Sequence, residues 1–251
     1  MKVSVITACY NSARTIGDTI RSVAGQSHRD IEHIVVDGAS TDGTLEIIDA
    51  HRASIATLVP GPDEGIYDAL NKGLAHSSGE VIGFLHADDI YAANDVIASI
   101  AQEFRSHSPD AVYGNVAFVK SDDMARIVRV YRSGRFRPSR IAWGWMPAHP
   151  AIFLSRAVFE KFGRFRTDYA IAGDFEFVAR TFSTAGFKYR YLPQVLVKMR
   201  MGGISTKGWR STLVLNKEVM RACRENGIPS NYLKILSKYP AKALEFFLPS
   251  I

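Results

Sequence analysis

The sequence lacks the features of a secreted, membrane-spanning or disordered protein. No uninterrupted apolar run approaches 18 residues, so we expect no spanning helix. Residues 1–10 have no basic start, long apolar segment or cleavage site, so we expect no signal peptide. The two cysteines, Cys9 and Cys223, then indicate free thiols in a reducing compartment, and we expect a cytoplasmic protein. The 251 residues are 47% hydrophobic and 22% charged, which excludes a disordered chain.

Charge is distributed unevenly between the two halves of the chain. Residues 1–125 carry a net charge of −10 and residues 126–251 carry +16, although the whole chain is only +6. The acidic half suits a divalent cation, because hard cations prefer oxygen ligands. The basic half could meet anionic lipid, a phosphorylated substrate or nucleic acid. No nucleic-acid-binding motif accompanies the arginines, so we expect no nucleic-acid partner.

Hydrophobic periodicity predicts alternating strands and helices over the first 110 residues. We expect strands at residues 3–8, 31–37, 55–59 and 81–86, each followed by a helix. This alternation is typical of an α/β fold with a mostly parallel central sheet and helices on both faces. Further along, we expect two strands or a hairpin at residues 111–119 and 125–132, and then an irregular aromatic segment at 141–155. After these we expect helices at 155–163 and 174–185, a strand at 188–200, and two more helices at 209–225 and 231–248.

Polar residues gather where three of the predicted strands end. Tyr10 follows the first strand, Asp37 ends the second, and Asp88 and Asp89 follow the fourth. In parallel sheets such ends meet at one edge, where ligands bind. A ring can stack on a base, a carboxylate can accept a base or ribose hydrogen bond, and paired carboxylates can hold Mg²⁺ or Mn²⁺ against a diphosphate. Taken singly, each cluster could instead be a turn or a helix cap.

These motifs, taken in order, resemble those of family 2 glycosyltransferases with the GT-A fold. The strings that carry the resemblance are SVITACYNSARTIGDTIRSVAGQS, IEHIVVDGASTDGT, DEGIYDALNKGLAHSSGEVIGFLHADD, HPAIFLSRAVFEKFGRF, AGDFEF and MGGIS. They span residues 3 to about 205, some four-fifths of the chain. The resemblance implies a GT-A domain at residues 1–205, with a nucleotide-sugar-binding half at 1–110 and an acceptor-side half at 111–205. Residues 206–251 would form a basic helical extension.

The resemblance also implies an inverting, metal-dependent transferase that uses a nucleotide-diphosphate sugar. The residues it places at the donor are Thr7, Tyr10, Asn11, Asp37, Lys72, His86, Ala87, Asp88 and Arg200. Asp88 falls where the family binds Mn²⁺ or Mg²⁺, although His86 replaces the first Asp of the family's Asp-x-Asp motif. Asp174 falls where the general base sits, with Glu176 available to raise its pKa. Asp174 could also simply cap a helix.

The acceptor side has weaker signals. Trp145 and His149 could contact the acceptor, and residues 202–205 could close over the donor with Arg200 directed at its phosphates. The processive Gln-x-x-Arg-Trp motif is missing from the sequence, which favours transfer of a single hexosyl or N-acetylhexosaminyl unit. We expect a UDP-sugar donor, and a sugar or a polyprenyl-diphosphate-linked acceptor in polysaccharide or glycolipid assembly.

The C-terminal segment alternates aromatic and aliphatic residues with lysines. Such a cationic amphipathic segment could lie at the inner face of a membrane, and it could equally dock on the domain. Two other functions stay open. One is a sugar nucleotidyltransferase, although a Gly-rich phosphate loop does not follow the first strand. The other is a non-catalytic nucleotide-sugar-binding module.

Overall fold

The computed structural model describes residues 1–202 and 208–237, and within them the chain forms an α/β fold around one sheet. The strands, in chain order, are β1 Val3–Cys9, β2 Ile31–Asp37, β3 Thr57–Pro60, β4 Val81–Phe84, β5 Ile90–Tyr91, β6 Ala111–Lys120, β7 Asp123–Tyr131, β8 Ile152–Ser155 and β9 Tyr189–Arg200. The helices are α1 Ile16–Ala24, α2 Thr44–Ala50, α3 Ile66–His76, α4 Val96–His107, α5 Arg156–Phe162, α6 Gly173–Phe182, α7 Gly208–Glu225 and α8 Tyr232–Leu236.

Strands β1 to β4 form one parallel part of the sheet, and β6 and β9 form a second parallel pair. The strand order is β3-β2-β1-β4-β8-β6-β9-β5, and β7 pairs with β6 as a hairpin. Strands β3, β2, β1 and β4 are all parallel, as the βα alternation predicts. β1 and β2 are rich in Val and Ile and almost completely buried, since helices cover both of their faces. The expected α/β fold is confirmed.

Alternate residues of the strands pack against helices on opposite faces. Ile6 on β1 contacts the core of α3 and α6, with Leu70 and Phe177. Val5, one residue earlier, contacts the core of α4, with Ile97. This alternation follows from the two-residue period of a strand. Helix α7 shares the first of these cores through Val219, Ala222 and Cys223, so the start of the expected extension at 206–251 packs into the domain.

The sequence-based prediction missed one central strand. We expected residues 141–155 to be irregular, and they do contain two 3₁₀ turns, but they end in β8. This four-residue strand lies antiparallel between β4 and β6. The chain therefore leaves the parallel pattern at the centre of the sheet. A run this short carries no periodicity, and its pairing depends on partners about 40 and 70 residues away.

The described residues define where the first two helices begin and include part of the last predicted helix. Helix α1 begins at Ile16, with Thr15 as its N-cap. Helix α2 follows Gly43 and begins at Thr44, whose N–H donates to the Asp42 carboxylate at 3.1 Å. Of the helix expected at 231–248, the structure describes α8, and the rest lies outside the described residues. No helix in the described ranges is long and apolar enough to cross a membrane.

Candidate functional site

The ends of the parallel strands form one edge of the sheet. Cys9, Asp37 and Pro60 are neighbours in adjacent strands, and the Leu85 N–H after β4 donates to the Ile6 carbonyl of β1 at 3.0 Å. The three polar clusters predicted from the sequence therefore meet at this edge. Beyond β1, Tyr10 is 63% exposed, so its ring is available to stack on a planar ligand.

The loop after β2 is held rigidly by its own polar groups. The Asp37 carboxylate accepts the Ser40 N–H at 2.9 Å and the Ser40 hydroxyl at 2.5 Å. The Asn11 side chain accepts the Thr41 N–H at 2.9 Å, which joins this loop to the end of β1. Asn11 and Ala39 both have positive φ, 47° and 62°, a conformation that non-glycine residues adopt at a cost. Strained, fully hydrogen-bonded loops of this kind are common at binding sites.

Two of the predicted donor contacts are not accessible in this arrangement. Thr7 is fully buried, and its hydroxyl lies 3.0 Å from Nε2 of His33 on the neighbouring strand. Asp37 is also fully buried, and both of its carboxylate oxygens are occupied within the loop. Neither side chain reaches the surface, so direct contact of either with a base or ribose is not supported. Both residues instead shape the edge that would receive the ligand.

The residues after β4 form a tight turn that presents one free carboxylate. The Asp89 N–H donates to the His86 carbonyl at 3.0 Å, and the Thr19 hydroxyl donates to the Asp89 carbonyl at 2.8 Å. Ala87 and Asp89 are buried, whereas Asp88 is half-buried. The Asp88 carboxylate makes no hydrogen bond or ion pair with the described residues. Burial, and then the charge of Asp88, raise the pKa of Asp89 well above its ordinary value.

Two of the residues predicted at the donor, Arg200 and Lys72, are bound to other groups of the protein. Arg200, at the end of β9, donates to the Asp88 carbonyl at 2.8 Å and forms an ion pair with Asp18 of α1. Its side chain is only 8% exposed, so it braces the turn and does not project toward a donor. Lys72 pairs with Asp68 at 2.8 Å and donates to the Pro62 carbonyl at 2.8 Å. Of the loop expected at 202–205, only Gly202 lies within the described residues.

Asp174 lies in the first turn of α6, where a carboxylate is favoured by the helix dipole. Its Oδ1 accepts the Phe175 N–H at 2.8 Å and lies 3.3 Å from the Tyr67 hydroxyl of α3. The Tyr67 hydroxyl also donates to the Ile171 carbonyl at 2.6 Å. Burial raises the pKa of Asp174 to about 6, outweighing the hydrogen bonds that lower it. A carboxylate with this pKa is ionised at neutral pH and basic enough to accept a proton.

Two histidines connect the Asp88 turn to Asp174. The rings of His86 and His149 lie 5.6 Å apart between centroids. His149 and Asp174 both line a cavity of about 10 Å³, room for one water molecule. Burial first, and then His86, lower the pKa of His149 to about 3, and burial also lowers the pKa of His86. The His86 ring of the Asp88 turn therefore lies next to His149, which lines the same small cavity as Asp174.

The structure assigns Glu176 a different role from the one expected. Glu176 is 2% exposed and pairs with Arg180, one turn along α6, at 2.9 Å. It does not contact Asp174, and burial rather than Glu176 is the main cause of the raised pKa of Asp174. The catalytic role predicted for Glu176 is therefore not supported, because its charge is already balanced by a buried ion pair.

The acceptor-side aromatic residues lie near the hairpin and the C-terminal helices. Trp145 stacks on Tyr131 with ring centroids 6.5 Å apart and an angle of 11° between the rings. Trp143 is 44% exposed, and the Lys234 ammonium of α8 lies 5.8 Å from its ring. Trp145 is half-buried, so a direct contact with an acceptor would use only part of its ring.

Several residues that build the site carry no signal in the sequence. Tyr67 and Glu218 contact the segment around Asp174, and Asp18 and Thr19 brace the Asp88 turn. Their partners lie from about 50 to about 180 residues away in the chain, and most of them are backbone groups. Periodicity and local motifs report only neighbouring residues, so they could not have identified these contacts.

The acidic edge fits a divalent cation only if a ligand supplies further oxygens. No three His, Cys, Asp or Glu side chains of the described part of the chain come together as a metal site. The Asp88 carboxylate, however, has no partner among the residues that the structure describes. Mg²⁺ commonly binds to one or two carboxylates and completes its shell with water and substrate phosphates. The residues present therefore fit a cation that binds together with a diphosphate.

Comparison with known sequences gives a consistent assignment. The family described as Glycosyl transferase family 2 matches residues 4–163. A PGL/p-HBAD biosynthesis glycosyltransferase of Mycobacterium bovis is 31% identical over 207 residues, which cover 80% of this chain and 78% of the relative. An uncharacterized glycosyltransferase of Mycobacterium tuberculosis is 32% identical over 180 residues, 71% of this chain and 68% of the relative.

Solved structures agree on the fold. TarS 1-349 of S. aureus superposes with a TM-score of 0.70 at 21% identity, over 88% of this chain and 65% of that one. The mannosyltransferase PcManGT of Pyrobaculum calidifontis, solved with GDP-Man and Mn²⁺, gives a TM-score of 0.63 at 22% identity, over 88% and 64%. The chain thus spans about two thirds of these structures. The expected GT-A type of fold is confirmed.

Proposed function

The chain belongs to glycosyl transferase family 2, and from that premise we propose that it is an inverting enzyme that transfers one sugar from a nucleotide-diphosphate sugar to a hydroxyl group. The observation that carries this proposal is the Asp174 carboxyl. It lines a cavity with His149, its pKa is raised to about 6, and the two histidines connect it to the Asp88 turn. A single displacement requires a base close to the diphosphate site, and His86 and His149 place the Asp88 turn next to the cavity that Asp174 lines.

In the proposed reaction, the acceptor oxygen attacks the anomeric carbon of the donor sugar from the face opposite the diphosphate. The new bond forms as the bond between the anomeric carbon and the β-phosphate oxygen breaks, and the nucleoside diphosphate leaves with the electron pair. Asp174 accepts the hydroxyl proton. No covalent intermediate with the protein forms, so the configuration at the anomeric carbon inverts.

The Asp88 turn would bind the diphosphate end of the donor. Asp88 is the residue we propose to hold Mn²⁺ or Mg²⁺, with the remaining ligands coming from the donor phosphates and water. The bound ion would neutralise the negative charge that develops on the leaving diphosphate. Thr19 and Arg200 keep the turn in place through its carbonyl groups. Tyr10, exposed at the end of β1, is the residue we propose to stack on the nucleotide base.

Related structures support a nucleotide sugar as the donor. TarS has been solved with UDP-GlcNAc and PcManGT with GDP-Man. We propose a UDP-sugar carrying a hexosyl or N-acetylhexosaminyl group. We also propose that the acceptor belongs to polysaccharide or glycolipid assembly, since relatives are named for PGL/p-HBAD biosynthesis.

A surface around α8 supports an acceptor carried at the cytoplasmic face of a membrane. Residues 126–140 contain six arginines and no acidic residue. Next to them, Trp143 and three residues of α8 are exposed, namely Tyr232, Leu233 and Leu236. Exposed apolar groups among cations favour the interface of an anionic bilayer. Salt-sensitive flotation with anionic liposomes is expected, and flotation equal to that with neutral liposomes would contradict this part of the proposal.

Donor hydrolysis tests the proposed enzyme without a known acceptor. Wild-type protein should slowly cleave at least one UDP- or GDP-sugar in the presence of Mn²⁺, with water as the acceptor. Asp174→Asn should lose at least 100-fold in rate while its affinity for the nucleotide stays within a few-fold. Asp88→Asn should lose both activity and the Mn²⁺-dependent part of nucleotide binding.

A matched control is Glu160→Gln, because Glu160 is exposed on α5 and has no ion pair in the described part of the chain. It should leave the rate unchanged. Nucleotide binding without any hydrolysis would favour the non-catalytic module. Formation of a nucleotide sugar from a sugar phosphate and a nucleoside triphosphate would favour the nucleotidyltransferase.

A further inference from the structure

The segment immediately before Asp174 is held by a carboxylate from a distant helix. Glu218 of α7 accepts three consecutive backbone N–H groups: Oε1 accepts that of Ala170 at 2.7 Å, and Oε2 accepts those of Ile171 and Ala172 at 2.9 and 2.8 Å. Charge-assisted hydrogen bonds of this kind are about twice as strong as neutral ones. Three of them on successive residues fix both the position and the direction of the backbone that enters α6.

A second contact holds the same segment from the opposite half of the molecule. The Tyr67 hydroxyl of α3 donates to the Ile171 carbonyl at 2.6 Å. A Cβ atom on Gly173 would lie only 2.8 Å from the Tyr67 ring, so glycine is needed for this close approach. Ile171 is therefore bound on its N–H side by α7 and on its carbonyl side by α3. These two sets of hydrogen bonds therefore also fix the position of Asp174, three residues after Ile171.

We propose that Glu218 is a positioning residue for the general base, so that α7 completes the active site by fixing the backbone on which Asp174 is carried. This inference rests on the proposed function, because it takes Asp174 to be the base. Helix α7, like Asp174 itself, lies beyond the residues that the family matches, 4–163.

Charge gives Glu218 a second effect on Asp174. The groups that face Asp174 are Tyr67 from α3, Glu218 from α7, and His149, which lines the same cavity from the segment before β8. The Tyr67 hydrogen bond lowers the pKa of Asp174, whereas the negative charge of Glu218 raises it. Glu218 thus contributes to the basicity of Asp174 in addition to holding its backbone.

The matched control lies on the same helix. Glu225 of α7 accepts the Tyr169 hydroxyl at 2.7 Å and pairs with Arg166 at 2.8 Å, so it also anchors the segment before α6. It lies two turns further along α7 and does not contact residues 170–172. Glu225→Gln should therefore lower the melting temperature without changing the titration of Asp174.

The direct test is a pH titration of the Asp174 carboxyl by ¹³C NMR of protein labelled at aspartate, with assignment through Asp174→Asn. In the full-length protein without donor, the apparent pKa of Asp174 should be near 6 and should fall in Glu218→Gln, because the negative charge that raises it is lost. Glu218→Asp keeps the charge and should retain most of the wild-type pKa. Because this readout needs no turnover, it distinguishes failure of the positioning role from failure of the proposed function.

Activity provides the second readout. Glu218→Gln should lower kcat for donor hydrolysis at least tenfold and change KM for the donor less than threefold, because the base is misplaced while the donor edge is intact. An unchanged Asp174 titration and kcat in Glu218→Gln would overturn the proposal. Equal losses of kcat in Glu218→Gln and Glu225→Gln, with an unchanged pKa of Asp174, would also overturn the proposal. Glu218 would then have a purely structural role.

Discussion

Replacing Asp174 by asparagine should stabilise the folded protein at neutral pH while it abolishes transfer. The reason is that the Asp174 carboxylate lines a largely apolar cavity with Phe84 and Phe165, where a negative charge is poorly solvated. Burial raises the pKa of Asp174 from its ordinary value of 3.8 to about 6. The folded state therefore holds this proton more tightly than the unfolded state, and ionisation above pH 6 favours unfolding.

The size of the effect follows from the pKa difference. About two pKa units at ~1.4 kcal/mol each set an upper limit of about 3 kcal/mol. Asp174 is only half-buried, and asparagine introduces an amide N–H₂ that also needs partners, so we expect a net gain of about 1–2 kcal/mol in the free energy of unfolding. The sign depends on pH: the gain is full above pH 7 and vanishes as pH approaches 4.

Urea unfolding at pH 8 and pH 5 measures this prediction. The difference in unfolding free energy between Asp174→Asn and wild type should fall by about half from pH 8 to pH 5. Glu160→Gln, the exposed control, should change stability by less than about 0.5 kcal/mol at either pH. A mutant less stable than wild type at pH 8, or a difference that does not change with pH, would refute the idea that the base is a destabilised carboxylate.

Three further substitutions test neighbouring parts of the site. Tyr67→Phe removes a donor that lowers the pKa of the base, so the acid limb of kcat/KM for donor hydrolysis should move up by about half a pH unit, and a downward shift would contradict this. Glu176→Gln breaks the buried pair with Arg180, so it should lower the unfolding free energy by about 2–4 kcal/mol in urea titrations, with kcat within a few-fold when folded. Gly38→Ala places a methyl group against the Asp63 carboxylate in the loop after β2. It should weaken nucleotide binding at least fivefold, as measured by calorimetry, and an unchanged affinity would show that this loop does not contact the donor.

Elements with a strong local pattern could be predicted from the sequence. Strand β2 was expected at residues 31–37 and is observed at Ile31–Asp37. A helix was expected after the third strand, and α3 is observed there at Ile66–His76. Their Val- and Ile-rich or helix-periodic composition agrees with their final environment, so local and tertiary preferences coincide. Strand β8 lacks such a pattern, and only its two antiparallel neighbours define it.

The candidate site shows the same division. Asp88 could be singled out because it follows a recognisable strand, and Asp174 because the string AGDFEF resembles the family's general-base segment. The hydrogen bond of Thr7 with His33 and the ion pair of Arg200 with Asp18 could not be predicted, because each joins residues that are distant in the sequence. A motif fixes where a residue lies along the chain. It does not determine whether the side chain faces the cleft or is already bonded to another element.

The most direct test of the central claim is the pH dependence of kcat/KM for donor hydrolysis between pH 5 and pH 9. If Asp174 is the general base, the wild-type rate should fall tenfold per pH unit below an apparent pKa of about 6. The residual activity of Asp174→Asn should show no such limb. A wild-type profile that is flat down to pH 5, or the same limb in Asp174→Asn, would contradict the assignment of Asp174 as the base.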